Sequence, residues 1–510
     1  MTAKSAFDTY VTARDAGQGF LLWETISAEL ETTVAAALKL GAFDEFGLMF
    51  ESVEGGESLG RYSFIGIDPD KVWRHEDGQT QIGDRDESGA ITWANERESL
   101  NPLESLRAFS NASRAEIPAH LPPMSAGVFG FFGYEMVQHF ERSKHLNPDD
   151  LNLPDSMLVR PRTVVVFDRA FDTLYLVAPL WADDDQTPAA SFGAAERRLA
   201  EVRAKLQAPV PAAYEESTRG KTELLELPEK VSNFTPSEYE QMVEVAKEYI
   251  IAGDIFQVVL SQRFEADFDL PSAALYRALR RVNPSPFMFH LNMGGFSIVG
   301  ASPEVLVRVR EGQITIRPIA GTRPRGKTIA EDLALEEELR NDPKELAEHL
   351  MLLDLGRNDV GRVSKIGSVR VTEKMIVERF SHVMHITSNV VGQVRDDVDA
   401  FEALGSGFPA GTVSGAPKVR AMEIIDELEP SQRGVYAGAV GYISATGELD
   451  TCIALRTSVV KDGKLYVQAG AGVVADSVPA MEQAECEHKS AAMFRAASEA
   501  INVARSRAND

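Results

Sequence analysis

Cysteine is nearly missing from this chain. Cys452 and Cys486 are its two cysteines, and they form no CxxC pair, so a disulfide framework and a cysteine metal site are both excluded. That usage fits a reducing compartment, and the reading is a cytoplasmic protein. Long apolar runs are missing as well. No stretch approaches the roughly 18 apolar residues of a membrane span, and the opening MTAKSAFDTYVTARDAGQGFLLWE has no apolar signal core. Positive charge is scarce: 52 Lys and Arg against 77 Asp and Glu give a net charge of −25, which argues against nucleic acid or an anionic membrane as partner. There is no internal repeat in the range of roughly 20–50 residues. What remains, 44% hydrophobic and 25% charged over 510 residues, is globular material for two domains or one large interleaved pair.

Residues 207–235, rich in Pro, Glu, Ser and Thr without periodicity, read as a linker between parts 1–206 and 236–510. In the first part TVVVFDRAFDTLYLVA (163–178) predicts a hairpin, SAGVFGFFGYE (125–135) a strand, and ERRLAEVRAKL (196–206) a solvent-facing helix. The second part opens on a helix signalled by Thr235 as N-cap, Pro236, a capping box closed by Glu238, and Gly253 as stop. FSIVG, VLVRV and QITIRPI predict a meander turning around Gly300 and Gly312. VYAGAVGYI, LDTCIALRTSVV and KLYVQAGAG, separated by ATGE and KDGK, predict a second hairpin series. Strands run together and helices fall between the runs, so the fold class is α+β, with large antiparallel sheets packed with helices.

Several segments could carry chemistry. IRPIAGTRPRG (316–326) gathers Arg317, Arg323 and Arg325 in an acidic chain, a local positive charge that would favour an anion. Alternation in TCIALRTSVV places Arg456 on a face with Cys452, Ala454 and Ser458, either as an anion ligand on a small-residue floor or as a surface arginine. Gly470-Ala471-Gly472 would bring backbone N–H groups to the same place. FPAGTVSGAPK (408–418), with Thr412 and Ser414, precedes a helix and is an anion site or a capped helix start; it is not a Walker A loop. In DPKELAEHLMLLDL the stripe Leu346, Leu350, Leu353 is apolar and Glu348 lies beside it. Glu482 and Glu485 lie one turn apart near the C-terminus, and carboxylates from two helices would suit Mg²⁺ better than zinc, unless they are simply solvated. FSHVMHITSNVV predicts a strand with His382 and His385 on opposite faces, and periodicity does not choose between them.

In chain order GASPE, PIAGTRPRG, DPKELAEHLMLLDLGRND, FSHVMH, GTVSGAPKVRAMEIID, GAVGYI, LDTCIALR and QAGAGVV resemble the chorismate-binding enzymes, most closely the component I subunits of anthranilate synthases. The likeness is dense over about 250–497 and thinner in FESVEGGESLGRYSFIG (50–66). It implies an enzyme that aminates chorismate with ammonia and eliminates pyruvate to give anthranilate, the first step of tryptophan biosynthesis. It implies Glu348 and Glu485 as Mg²⁺ ligands, and Gly321, Thr322, Tyr436, Arg456, Gly470, Ala471 and Gly472 as chorismate contacts. Thr412 would lie in the same pocket, Glu304 would protonate the departing hydroxyl, and His385 would serve pyruvate elimination. Neither cysteine sits in a Gly-rich strand-to-helix turn, so ammonia would come from a separate glutamine amidotransferase subunit in a hetero-oligomer. Ser52, Pro286, Phe287 and Met288 match a tryptophan feedback pocket in the N-terminal domain, although Met49-Phe50 replaces the usual leucine pair before Glu51.

The same resemblance frames the rivals. Aminodeoxychorismate synthases typically carry Lys where this chain has Ala320, and isochorismate or salicylate synthases a base Lys near Gln257. A non-catalytic amino-acid-binding regulator would have no use for the intact set Glu348, Glu485, Arg456 and His385.

Overall fold

In this computed structural model, residues 3–52, 60–86, 88–96, 101–141, 147–211, 229–380 and 383–508 are described. Strand Ser156–Asp168 explains the architecture. Met157, Val159, Val164 and Val166 all face one apolar core, whereas Leu158 faces a second and Val165 and Phe167 a third. Alternate side chains of a strand point to opposite faces, so this strand keeps a shared interior and passes from one sheet to another. It pairs with Gly127–Phe132 at its start, with Thr173–Leu180 at its end, and with Tyr62–Glu76 along most of its length.

Two antiparallel sheets therefore enclose a central core of Phe64, Phe129, Phe289, Ile298 and Tyr442, among others. Helices cover both outer faces, giving four layers. On one side Pro188–Gln207, Pro236–Ala252, Ser272–Val282 and Pro479–Ala508 pack on the sheet. On the other lie Pro102–Ala112, Pro343–Val363 and Ala400–Gly407. The two parts of the chain share these sheets: Leu48–Glu51 pairs with Phe287–Asn292, and Gly127–Phe132 with Ala439–Ser444.

The hairpin of 163–178 forms, as does the capping box of Thr235 and Glu238, with Gly253 left-handed at φ 87°. Both predicted C-terminal hairpins close, at Gly447 and at Asp462-Gly463. Three expectations need correction. The 196–206 helix is not solvent-facing, because Leu199, Val202 and Leu206 are buried in the first outer core. Leu350 is 45% exposed, the stripe of its helix running instead through His349, Leu352, Leu353 and Gly356. Gly300 lies inside strand Phe296–Ser302, and that strand pairs with Phe287–Asn292 and Thr457–Lys461, not with Val305–Arg310. Of the meander, the hairpin at Gly312 is what forms.

Candidate active site

The rearranged strands build the site. Phe296–Ser302 pairs with Thr457–Lys461, and Val305–Arg310 with Leu449–Ile453, so one long ladder is interrupted midway on both strands. Arg456 and Glu304 occupy the interruption. Arg456 is not a strand residue: it lies between two strands at φ 48°, which is why alternation misplaces it. The half-buried guanidinium has no carboxylate partner among the described residues, and desolvation pulls its pKa down. Glu304 is buried, which pushes its carboxyl up to about 8, while the Thr412 hydroxyl lies 3.2 Å from each carboxyl oxygen. A neutral acid and a cation without a carboxylate partner among the described residues thus flank one break in the ladder.

His385 Nδ1 lies 3.1 Å from the carbonyl of Gly321 and 3.0 Å from Thr322 Oγ1. Burial, reinforced by the Arg456 charge, lowers its pKa to about 4. A neutral ring donating from Nδ1 to that carbonyl leaves Nε2 as an acceptor. Gly321 adopts φ 74° at a register shift, and a Cβ there would approach Ile386 to 3.1 Å and Glu345 to 3.2 Å. His382 lies outside the described residues.

Gly470, Ala471 and Gly472 pair with Ser261, Leu260 and Val259 on one side. Beyond Val467 the other edge of their strand has no strand partner among the described residues, so alternate backbone groups there point away from the ladder, and the Gly470 carbonyl accepts from Lys489. A Cβ on Gly470 would meet the Tyr436 hydroxyl at 2.8 Å, and one on Gly472 the Gln257 amide at 2.5 Å, so glycine keeps this floor clear.

At the mouth, helices Pro343–Val363 and Pro479–Ala508 face each other. Gln257 Nε2 donates to Glu348 Oε1 at 3.3 Å, and burial, then the charges of Glu345 and Glu485, raise the Glu348 carboxyl. Glu482 is raised by burial and by Glu485. Lys489 pairs with Glu485 at 2.7 Å and donates to Gly470 O at 2.9 Å. Among the described residues no three His, Cys, Asp or Glu side chains converge tightly enough to hold an ion alone. Glu348 and Glu485 offer two hard oxygen ligands beside Glu345 and Glu482, with Lys489 as the cation now on Glu485, and this carboxylate-rich set fits Mg²⁺, an ion that keeps several waters and substrate oxygens.

Arg317, Arg323 and Arg325 do not wait for an anion. Arg317 pairs with Glu373 and Glu378, Arg323 with Glu338, Asp342 and Glu345, and Arg325 with Asp332. The expected local positive charge is neutralised by carboxylates from following segments. Lys489 and Glu345 were missed by sequence reasoning; their spacing of four from Glu485 and three from Glu348 was the available signal.

A family profile for chorismate binding enzymes matches residues 48–495. The chain belongs to this family. It is 51% identical over 505 residues to anthranilate synthase component 1 of Cereibacter sphaeroides, covering 99% of this chain and 100% of that one. It is 48% identical over 482 residues to the component 1 of Pseudomonas aeruginosa, covering 93% and 94%. Among solved structures, anthranilate synthase component I from Streptococcus pneumoniae TIGR4 superposes with a TM-score of 0.73 at 37% identity, over 87% of this chain and 95% of that one. The menaquinone-specific isochorismate synthase of Escherichia coli, at TM-score 0.68 and 17% identity over 97% and 100%, shares the fold. This chorismate-binding enzyme therefore carries the α+β fold with large antiparallel sheets that its sequence implies.

Proposed function

We propose that this enzyme is the chorismate-converting subunit of an anthranilate synthase, forming anthranilate and pyruvate from chorismate and ammonia as the first step of tryptophan synthesis. The observation that carries the reading is the pair held at one ladder break: Arg456, a cation with no carboxylate partner among the described residues, and Glu304, a carboxyl kept neutral by burial. Arg456 takes the enolpyruvyl carboxylate, with Tyr436 and the Gly470 to Gly472 backbone lining the floor and Gly321 and Thr322 the wall. Glu304, oriented by Thr412, gives its proton to the departing ring hydroxyl as ammonia adds to the ring. His385 Nε2 then accepts the ring proton whose loss accompanies pyruvate departure. Glu348 and Glu485 would hold Mg²⁺, which when bound neutralises the ring carboxylate and orients the ring.

Gln257 favours ammonia over water as nucleophile. Its Oε1 is buried without a hydrogen-bond partner, an acceptor for an N–H donor, and an amide cannot deprotonate water as a lysine there would. Ala320 adds no competing amine. Ammonia is supplied by a glutamine amidotransferase subunit in a hetero-oligomer. Tryptophan is the feedback inhibitor: Glu51 is in register with Met288, which brings Ser52 beside the segment of Pro286 and Phe287. Among the described residues no helix is long and apolar enough to cross a membrane, which is compatible with a cytoplasmic enzyme.

The test is fluorimetric. Chorismate, ammonium salt and Mg²⁺ should yield anthranilate and pyruvate in equal amounts, while glutamine should replace ammonium only when an amidotransferase subunit is added. Isochorismate or aminodeoxychorismate as the product would overturn the reading.

A further inference from the structure

Glu304 lines a cavity of about 30 Å³, walled by helix Pro343–Val363, the end of helix Ala400–Gly407 and the turn Gly411–Val413. It has room for about two water-sized molecules. Pro318, Leu352 and Leu355 form apolar walls, while Glu304 and Thr412 line one part and Asp359 another. Asp359 is buried and pairs with the equally buried Lys418 at 3.1 Å. A buried ion pair contributes little net stability, so its place on this wall invites another role. Outward from it the charges of Arg362 and Glu141 act on Asp359, and these two form a 2.5 Å pair that reaches solvent, Arg362 being 41% exposed. Ionisable groups thus run from the surface to the cavity, and the cavity reaches the acid.

Glu304 needs such a connection. Each turnover of the proposed reaction breaks the ring C–O bond, moves the Glu304 proton onto the departing oxygen and leaves a carboxylate. Ammonia, once bound to carbon, gives up one proton to solvent, so the protons balance overall but not at Glu304. We propose that Asp359 returns a proton to Glu304 through water held in this cavity, drawing its own from solvent past Arg362 and Glu141. Burial raises the Asp359 carboxyl against the Lys418 charge that lowers it, and burial likewise raises Glu304. The inference rests on the acid role of Glu304 and assigns Asp359 to resetting that acid, not to touching substrate.

Single-turnover and steady-state rates separate the two ideas. With enzyme in excess over chorismate, Asp359→Asn should form anthranilate within about twofold of the parental rate, because the resting acid is already loaded. Under multiple turnover it should slow about tenfold or more, with a burst of one anthranilate per site, and Asp359→Glu should restore steady turnover. A folded Asp359→Asn variant that loses both rates equally, or neither, overturns the relay. Should circular dichroism show that variant unfolded, the paired change Asp359→Leu with Lys418→Met takes its place: the same burst supports the relay and its absence overturns it. Glu304→Gln reports on the underlying reading separately, since it should lose the single-turnover rate itself; retention of that rate would remove the acid role and the relay with it.

Discussion

Glu304 and Arg456 face each other across one interruption in a single antiparallel ladder. The N–H of Ala301 donates to Arg456 O and the N–H of Ile453 to Glu304 O, each at 3.1 Å, so the backbone of each strand is held by the other on either side of the break. Away from regular alternation, neither side chain is bound to the in-and-out pattern of the strands that flank it. Function here is placed by a defect in the sheet.

Arg456→Met should therefore weaken chorismate binding while leaving the fold intact. Losing one charge-assisted contact of about 1.5–3 kcal/mol corresponds to roughly a 10- to 150-fold higher KM. Because the guanidinium is partly desolvated without a partner, the free variant should be no less stable than the parent in urea. A parental KM would remove Arg456 from the substrate site.

Local signals were legible and long-range ones were not. The capping box at Thr235 and Glu238 and the turn at Asp462-Gly463 are set by residues within four positions of each other. The α+β class followed from strands occurring in runs. Alternation put Arg456 inside a regular strand, which it is not, since the break depends on the partner strand around Glu304. The arginines of IRPIAGTRPRG looked available because their carboxylates, such as Glu373, Asp342 and Asp332, come from elements whose packing the sequence does not display. The passage of Ser156–Asp168 between sheets was hidden because its two short apolar runs, MLV and VVVF on either side of Arg160-Pro161-Arg162, read the same whether a strand faces one core or three.

The carboxylates at the mouth predict a pH-dependent metal requirement. Burial and the neighbouring charges of Glu345 and Glu485 raise Glu348, so protons compete with Mg²⁺ for it more strongly than for an isolated glutamate. Half-saturation should need less Mg²⁺ at pH 8 than at pH 6. Glu348→Gln and Glu485→Gln should each raise the Mg²⁺ requirement and cut turnover about tenfold or more, without loss of folded protein by circular dichroism. Unchanged Mg²⁺ titrations would refute the assignment.

Two strands across the sheet from Ser302, Arg169 donates to Ser52 O at 3.0 Å and to Glu51 Oε1 at 3.1 Å, and Tyr276 donates to Glu51 Oε2 at 2.6 Å. This network fixes the strand end beside Phe287. Ser52→Phe would add a ring there without touching Glu304, Arg456 or Glu348. Tryptophan should then inhibit about tenfold less well, a coupling loss of roughly 1.4 kcal/mol, with the uninhibited rate unchanged. Equal sensitivity of variant and parent would exclude this pocket.

Glu304 makes a prediction that joins stability to chemistry. Its folded carboxyl is raised from 4.5 to about 8 by burial. Below the unfolded value both states carry the proton and the group is neutral to folding. Between the two values the unfolded chain ionises while the folded one holds its proton, so stability falls as pH rises, and above about 8 the penalty is complete. Glu304→Gln removes that titration and should become the more stable protein by a growing margin between pH 5 and 8, on the order of a few kcal/mol at the upper end. Activity should move the opposite way. The parental kcat/KM should decline on the alkaline side as the acid loses its proton, and Glu304→Gln, though more stable, should have little activity at any pH. Urea midpoints for both proteins across this range provide the measurement. A constant difference between them would mean that Glu304 titrates normally, and that the proton for the departing hydroxyl comes from another group.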